Sequence, residues 1–147
     1  MKFLIDTNII LDVLLKREPF YMEGVKVFNL SKEDNISLYV SASSITDIYY
    51  IANQTLRDKT EAKELLGKLI KIVSIAGVSE DEIRNALMLS WRDFEDSVQY
   101  SVALLQEMDG LITRNSRDYR EAEIKIWEPK ELLSWWQSSR DMQNDLL

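Results

Sequence analysis

Short apolar runs alternate with helical segments along the chain, and this alternation limits the folds open to it. The first run, Phe3–Ile5, has the length and composition of a buried strand. The residues after Asn8 are apolar at helical spacing, and the same change from strand to helix recurs three times further along the chain. Strands separated by helices indicate a mostly parallel sheet that is covered by helices. The pattern therefore predicts an α/β fold.

The element predictions follow from apolar spacing and from capping residues. Ser43-Ser44 and Thr60 are expected to cap helices, and Ser79 with Glu82 has the capping-box form. We predict one domain over residues 1–137 and a frayed polar tail over residues 138–147. The predicted strands are 2–6, 37–40, 73–76, 111–113 and 123–127, and the predicted helices are about 8–15, 21–32, 43–54, 60–70, 79–89, 93–108 and a last one from 129.

Composition removes several classes of chemistry. The 147 residues include no cysteine and no histidine, which excludes disulfides, thiolate zinc sites and histidine bases. Any catalysis must use carboxylates, hydroxyls, amines or a metal ion that is held by oxygen. No stretch approaches the roughly 20 apolar residues that span a bilayer. We therefore expect a cytoplasmic protein that does not bind membranes.

Acidic residues stand where strands end or helices begin. Asp6 follows the first strand, Asp47 lies in the first turns of its helix, and Asp93 and Asp96 begin the clearest amphipathic helix. Asp118 follows the strand at 111–113. Ligands of parallel α/β folds bind at the carboxyl ends of the strands. These acids are therefore candidates for one shared site, although each could also serve only as a helix cap or a first-turn acid.

Carboxylates that converge repel one another, and a hard divalent cation relieves the repulsion. Ligands that supply only oxygen suit Mg²⁺ or Mn²⁺. Such an ion can lower the pKa of bound water and stabilise a departing oxyanion, which is how sites made only of acids cleave phosphodiesters. The residue types thus favour metal-dependent phosphodiester hydrolysis.

Four motifs, in this order, resemble those of the PIN-domain ribonucleases, and especially the bacterial branch that includes toxins of toxin–antitoxin operons. They are LIDTNIILD, S-x-I-T-D-I-Y, DFEDSVQYSVA and LITRNSRDY, and the similarity extends from Lys2 to about Glu128. The resemblance implies a three-layer α/β/α sandwich with a mostly parallel sheet. It also implies Mg²⁺ or Mn²⁺ as cofactor and RNA as substrate.

The resemblance also implies roles for individual residues. Two positions differ from the usual family pattern: Asp47 stands where glutamate is more common, and Asn115 stands where many members have aspartate. The implied catalytic residues are Asp6, Asp47, Asp96 and Asp118, of which Asp6, Asp96 and Asp118 would hold the metal, with Thr7, Asn8, Asp93, Thr113 and Asn115 in support.

The net charge of −7 opposes nonspecific binding to nucleic acid. Basic residues near the motifs could still hold phosphates, and we predict that Arg114 and Arg117 bind RNA. An antitoxin protein and a second copy of the chain are further candidate partners. Their candidate surface residues are Tyr21, Tyr49, Tyr50, Trp135 and Trp136, all of which could instead be core residues.

Three alternatives come from other function classes. A phosphotransferase of the haloacid-dehalogenase type needs an acid two positions after its nucleophile, where this chain has Asn8. A receiver domain needs a neighbouring acid pair and a lysine at a later strand end, and neither is evident. A PIN-like module that binds RNA or protein without cleavage is the stronger rival, because Asp47 and Asn115 depart from the family pattern.

Overall fold

The centre of the fold is a sheet of five parallel strands in the order β3-β2-β1-β4-β5. The computed structural model describes residues 1–145. From β1 the chain moves outward to β2 and β3, and it then returns to the other side for β4 and β5. The switch point lies between β1 and β4, where such folds bind ligands. The strands are β1 (Lys2–Ile5), β2 (Ser37–Ser41), β3 (Ser74–Ala76), β4 (Gly110–Ile112) and β5 (Lys125–Trp127).

Helices cover both faces of this sheet. Short 3-10 helices at Leu30–Lys32 and Ser116–Tyr119 complete the secondary structure of the described residues. The α-helices are α1 (Thr7–Leu14), α2 (Tyr21–Asn29), α3 (Ala42–Leu56), α4 (Lys59–Ile72), α5 (Glu80–Met88), α6 (Phe94–Leu105) and α7 (Pro129–Asp145).

Two hydrophobic cores flank the sheet, because successive strand side chains point to opposite faces. Phe3 and Ile5 of β1 pack with α1, α2, α3, α4 and α7 on one face. Leu4 of β1 and Leu111 of β4 pack with α5 and α6 on the other face. The predicted three-layer α/β/α sandwich is thus confirmed, with a sheet that is parallel throughout.

Two helix starts differ from the sequence prediction. Helix α3 begins after Ser41, whose Oγ accepts a hydrogen bond from the Ser43 amide at 3.3 Å. Helix α4 begins after Asp58, whose Oδ1 accepts from the amides of Thr60 and Glu61 at 3.0 and 3.2 Å. In both cases the capping side chain lies two residues before the predicted one.

The predicted frayed tail is wrong for the residues that the structure describes. Helix α7 continues as one element to Asp145, so residues 138–145 are helical. Residues 146 and 147 lie outside the described part, and the limits of the domain stay a prediction. None of the helices within residues 1–145 has the length and apolar character needed to cross a bilayer.

The predicted capping box at the start of α5 is present. The Glu82 carboxylate accepts hydrogen bonds from the Ser79 hydroxyl and from the Ser79 amide, the latter at 3.0 Å. Gln106 of the neighbouring segment donates to Glu82 Oε1 at 3.0 Å. The hydrogen bond from Ser79 is the main reason why the pKa of Glu82 falls from 4.5 to about 2. Glu82 therefore joins α5 to the end of α6 in its ionised form.

We predict that Glu82→Gln lowers the free energy of unfolding by about 1–2 kcal/mol at pH 7, because hydrogen bonds to a charged acceptor are lost. The stabilisation by the carboxylate is complete above pH 4.5 and disappears as the pH falls towards 2. Urea titrations between pH 7 and 2.5 should show a smaller acid-dependent loss in the variant. Glu80→Gln, which removes an exposed acid of the same turn, is the control and should change stability by less than about 0.5 kcal/mol.

Candidate active site

Asp6 lies at the carboxyl end of β1 and is almost completely buried, with 5% of its surface exposed. Its amide donates to the carbonyl of Ile112 in the neighbouring strand β4 at 2.9 Å. Thr113, directly after β4, donates to Asp6 Oδ2 at 2.7 Å, and Gln99 of α6 donates to Oδ1 at 2.9 Å. The sheet and α6 together fix this carboxylate at the switch point.

A chain of hydrogen bonds connects Asp6 with Asp96. The side-chain nitrogen of Gln99 that donates to Asp6 also lies 3.4 Å from the Tyr119 hydroxyl. That hydroxyl donates to Asp96 Oδ1 at 3.1 Å. Burial and the neighbouring acids raise the pKa of Tyr119 far above its usual value of about 10, so the phenol stays a donor. Gln99 and Tyr119 therefore set the relative positions of the two carboxylates.

Asp96 is surrounded by other acids. Its pKa rises from 3.8 to about 6, first because the carboxyl is half-buried and then because of the charges of Asp93, Asp6 and Asp118. Asp93 caps α6, and its Oδ1 accepts from the Asp96 amide at 3.1 Å. Asp118 is exposed and lines the same cleft as Asp93 and Asp96. These four predicted acids are thus brought into one electrostatic cluster.

Asp47 lines a second and smaller cavity of about 200 Å³, which Gln99 of α6 also lines. Its carboxyl faces Glu95, a residue that the sequence analysis did not select. A hydrogen bond shared with Asp47 is the main reason why the pKa of Glu95 rises from 4.5 to about 7, followed by burial and the charge of Asp47. Asp47 is therefore paired with Glu95, and the charges of Asp93 and Asp96 also help to raise the Glu95 pKa.

The supporting residues take different places. Thr7 lines the cavity of Asp47, and Asn8 follows it in the first turn of α1, where it is half-buried. Thr113 is fully buried and accepts a hydrogen bond from the Asn115 amide at 3.0 Å, while the Asn115 side chain is exposed. Two supporting residues thus contact predicted metal ligands directly: Thr113 hydrogen-bonds to the Asp6 carboxylate, and Asp93 accepts from the Asp96 amide.

Arg114 has a partner inside the protein. Its Nε lies 2.6 Å and its second guanidinium nitrogen 3.3 Å from the carboxylate of Asp12, a buried residue of α1. The guanidinium also lies 3.8 Å from the ring centre of Phe20. RNA binding by Arg114 stays a prediction, and the structure shows that this side chain anchors the segment after β4 to α1.

The main cleft, of about 540 Å³, opens beside Asp96 between the segment before α6 and the segment after β4. Its wall includes Arg117, the second arginine predicted to bind RNA, together with Arg92 and Arg120. The predicted partner residues lie elsewhere: Tyr50 is 63% exposed, Tyr21 and Tyr49 are half-buried, and Trp135 and Trp136 pack against the core.

The donor chemistry of the cluster fits a hard divalent cation. Asp6 and Asp96 offer carboxylate oxygens, and Gln99 Oε1 is a buried acceptor with no hydrogen-bond partner in the part of the chain that the structure describes. Within the same residues, no three acidic side chains are arranged so that they could hold a metal ion directly. Mg²⁺ is commonly bound by one or two carboxylates and keeps several waters. Asp6 and Asp96, with water ligands, meet that requirement.

The sequence model of the PIN domain matches residues 2–117, and the chain belongs to the PIN domain family. That match includes the strand end at Asp6, the α6 acids and the first residues after β4. A comparison with curated proteins finds no match.

Solved structures of low sequence identity share the fold. VapBC-1 from nontypeable Haemophilus influenzae superposes with a TM-score of 0.69 at 18% identity, covering 88% of this chain and 99% of the other. VapBC2 from Rickettsia felis, bound to a DNA fragment from its promoter, has a TM-score of 0.69 at 16% identity and covers 87% and 98%. VapC20 from Mycobacterium tuberculosis, described as a toxin that cleaves the sarcin-ricin loop, has a TM-score of 0.59 at 13% identity and covers 74% and 86%.

Sequence reasoning missed several residues that the structure brings to the site. Asp12 interrupts an apolar helix on its buried side, which is a signal for a buried ion pair. Gln99 stands one turn after Asp96, and Tyr119 directly follows Asp118. Glu95 directly precedes Asp96, so its position at the start of α6 could have identified it. Nothing in the chain order indicates that Gln99 and Tyr119 meet.

We predict that Arg114→Ala lowers the free energy of unfolding by about 3 kcal/mol, because the buried Asp12 loses its close bidentate partner. Thermal or urea unfolding measures the loss. Arg117→Ala, which removes an exposed arginine of the same segment, is the matched control and should change stability by less than about 0.5 kcal/mol. Equal effects of the two substitutions would contradict the anchoring role of Arg114.

We predict that Asp47→Asn lowers the pKa of Glu95 from about 7 towards its ordinary value of 4.5, because the variant lacks the carboxylate whose hydrogen bond and charge raise it. Asp47→Glu, which keeps the charge, should leave the Glu95 pKa raised. NMR titration of the side-chain carboxyl carbons measures both values. A Glu95 pKa near 7 in Asp47→Asn would show that burial and the charges of Asp93 and Asp96 raise it without Asp47.

Proposed function

We propose that the protein is an endoribonuclease that depends on Mg²⁺ or Mn²⁺ and acts as the toxin of a toxin–antitoxin pair. The observation that carries the proposal is the linked pair of Asp6 and Asp96 at the sheet's switch point, with Asp93 and Asp118 close enough to raise the Asp96 pKa. Acids brought together in this way, in a chain without histidine, suit metal-assisted hydrolysis.

The chain's own groups hold the two carboxylates of the site in fixed positions. Thr113 and Gln99 donate to both oxygens of Asp6, and each oxygen keeps a lone pair for another ligand. Tyr119 occupies Asp96 Oδ1 and leaves Oδ2 without that restraint. Because the Asp96 pKa is about 6, this carboxyl is mostly ionised at pH 7 even without a cation. The two carboxylates are therefore preorganised.

Asp6 and Asp96 would hold the cation, and Asp118 would approach it from the exposed rim of the cleft. When bound, a divalent cation lowers the pKa of a coordinated water and offsets charge on the phosphodiester oxygens. The Tyr119 phenol remains protonated and keeps Asp96 oriented as substrate enters. Asp47 and Glu95 line the neighbouring cavity, and we assign them a supporting role because their carboxyl groups interact chiefly with each other.

The solved relatives support both parts of the proposal. One of them is described as a toxin that cleaves the sarcin-ricin loop, and a structure from Klebsiella pneumoniae, at 19% identity, is described as a toxin–antitoxin complex. FitAB, at 15% identity, is bound to a DNA fragment. We therefore propose an antitoxin as the protein partner of this chain. A homodimer and a cytoplasmic location stay predictions.

One observation favours the alternative of a PIN-like module that binds RNA or protein without cleaving. No three acids within residues 1–145 are arranged to hold a cation directly, and the Asn115 position lacks a carboxylate. If water does not complete the coordination, the fold would keep a binding surface and lose hydrolysis.

We predict that the wild type cleaves members of an RNA panel in Mg²⁺ or Mn²⁺ and that EDTA abolishes cleavage. Asp96→Asn should lower kcat/KM by at least about 100-fold, equivalent to about 2.7 kcal/mol of transition-state stabilisation. It should also weaken Mn²⁺ binding in calorimetric titrations, since one charged ligand is lost. Gel analysis of end-labelled RNA gives the rates.

The control is Glu64→Gln, which removes an exposed acid on α4 far in sequence from the site and should cleave like the wild type. Equal cleavage by the wild type and Asp96→Asn would identify a contaminating nuclease. Absence of cleavage, together with absence of Mn²⁺ binding, would support the binding module instead.

A further inference from the structure

We propose that Gln99 is a positioning residue that orders Asp6 and Asp96 for a divalent cation without neutralising either of them. The inference rests on the proposed metal-dependent function and adds a residue whose neutral side chain leaves the negative charge of the site available to the cation. A positively charged side chain at the same position would take the place of the cation.

Two acids near the start of the chain are buried, and they have different partners. Asp12 is 1% exposed and forms a bidentate ion pair with Arg114, at 2.6 and 3.3 Å. Asp6 is also buried, but its side-chain partners are the uncharged groups of Thr113 and Gln99. Among the ion pairs of residues 1–145, none involves Asp6. Because buried charges are normally paired or bound to a metal, Asp6 has the environment of a metal ligand and Asp12 that of a structural acid.

Gln99 reaches both candidate metal ligands with one amide group. Its Nε2 donates to Asp6 Oδ1 at 2.9 Å and lies 3.4 Å from the Tyr119 hydroxyl. Since Tyr119 donates its own hydrogen to Asp96, its oxygen is the acceptor in the contact with Gln99. The two hydrogens of the amide are therefore directed to Asp6 and, through the phenol, to Asp96. The ion pairs of the described residues do not include Asp96 either.

The other end of the amide is left without a partner by this arrangement. Because the Asp6 carboxylate accepts hydrogen bonds, the amide must turn its nitrogen towards it, and Oε1 then points away. Gln99 Oε1 is buried and has no hydrogen-bond partner within residues 1–145. A buried acceptor without a partner destabilises the folded protein. Stability alone therefore does not favour glutamine here, whereas the ordering of two acids does.

A neutral donor suits this position better than a charged side chain. Glutamate would add a negative charge beside Asp6 and Asp96 and would have no hydrogen to donate when ionised. Lysine or arginine would offset the acids, as Arg114 does for Asp12, and would repel a divalent cation. Residues that orient metal ligands from behind typically account for about 10–100-fold in metal affinity.

The first test measures Mn²⁺ affinity by calorimetric titration in Gln99→Met, which has a side chain of similar length without a hydrogen-bond donor. Mn²⁺ should bind at least about tenfold more weakly than to the wild type. At a fixed Mn²⁺ concentration, kcat for RNA cleavage should fall while KM stays the same, because Gln99 is buried and holds the ligands rather than the substrate. Gln54→Met, which changes an exposed glutamine of α3, is the matched control and should behave like the wild type. Wild-type Mn²⁺ affinity in Gln99→Met overturns the proposal.

Thermal unfolding with and without Mn²⁺ tests the charge balance. The ammonium group of Gln99→Lys should abolish Mn²⁺ binding, so Mn²⁺ should raise the melting temperature of the wild type but not that of the variant. In EDTA the variant should melt at the wild-type temperature or above it, since the ammonium offsets the repulsion between the acids. Gln54→Lys makes the same change in net charge on the surface and should keep the wild-type response to Mn²⁺. A response to Mn²⁺ in Gln99→Lys equal to that of the wild type overturns the proposal.

A third variant keeps the proposal testable if position 99 does not tolerate substitution. Tyr119→Phe removes the hydroxyl that connects Gln99 with Asp96 and keeps the ring that meets Trp91 edge-on at 5.9 Å. Mn²⁺ should bind several-fold more weakly to this variant. Adding Gln99→Met to it should have less than its full effect, because the two residues belong to one chain of hydrogen bonds. Unchanged Mn²⁺ affinity in Tyr119→Phe, or fully additive effects of the two substitutions, overturns the proposal.

The role of Gln99 and the ribonuclease function fail in different ways. Wild-type protein that binds Mn²⁺ with the expected dependence on Gln99 but cleaves no RNA would overturn the ribonuclease function and leave the role of Gln99 supported. Cleavage of RNA in Mn²⁺ by Gln99→Met, with the kcat and Mn²⁺ affinity of the wild type, would overturn the role of Gln99 and leave the ribonuclease function supported. Wild-type protein that binds neither Mn²⁺ nor Mg²⁺ would overturn both.

Discussion

The buried carboxylate of Asp6 is the constraint on which the rest of the site depends. A charge at the end of the central strand would be strongly unfavourable without donors, and Thr113 and Gln99 provide them. Thr113 belongs to the segment after β4, the strand next to β1 in the sheet, and Gln99 belongs to α6 in a helix layer. Satisfying one charge therefore brings together the elements that carry Asp96 and Asp118.

A second buried acid acts in the same direction. Thr113 hydrogen-bonds to Asp6, and the next residue, Arg114, forms a bidentate ion pair with Asp12. Asp6 directly follows β1, and Asp12 lies in α1. Two adjacent residues after β4, Thr113 and Arg114, therefore attach their segment to the region of β1 and α1. The position of Asp118 then depends only on the short 3-10 turn that follows. A site whose acids repel one another needs this rigidity, since repulsion would otherwise separate them.

The sequence was sufficient for the architecture and for the strand-end acids, because both depend on local pattern. Hydrophobic periodicity placed every strand within a few residues of its observed position, and the position of Asp6 after β1 followed directly. The sequence could not show which side chains of distant elements are in contact. The pairing of Asp47 with Glu95, and of Arg114 with Asp12, depends on the angle at which helices lie on the sheet. The last helix was predicted too short because its exposed turns are polar.

The distribution of charge explains how a chain with a net charge of −7 could still accept an anionic polymer. Acids are concentrated at the sheet's switch point, where Asp93, Asp6 and Asp118 already raise the pKa of Asp96. Arginines without ion partners among the described residues lie on the wall of the same cleft. Neutralising the acids with a divalent cation leaves the arginines as the dominant local field. In such a site the cation would determine binding as well as chemistry, so affinity for RNA and hydrolysis would both depend on the metal concentration.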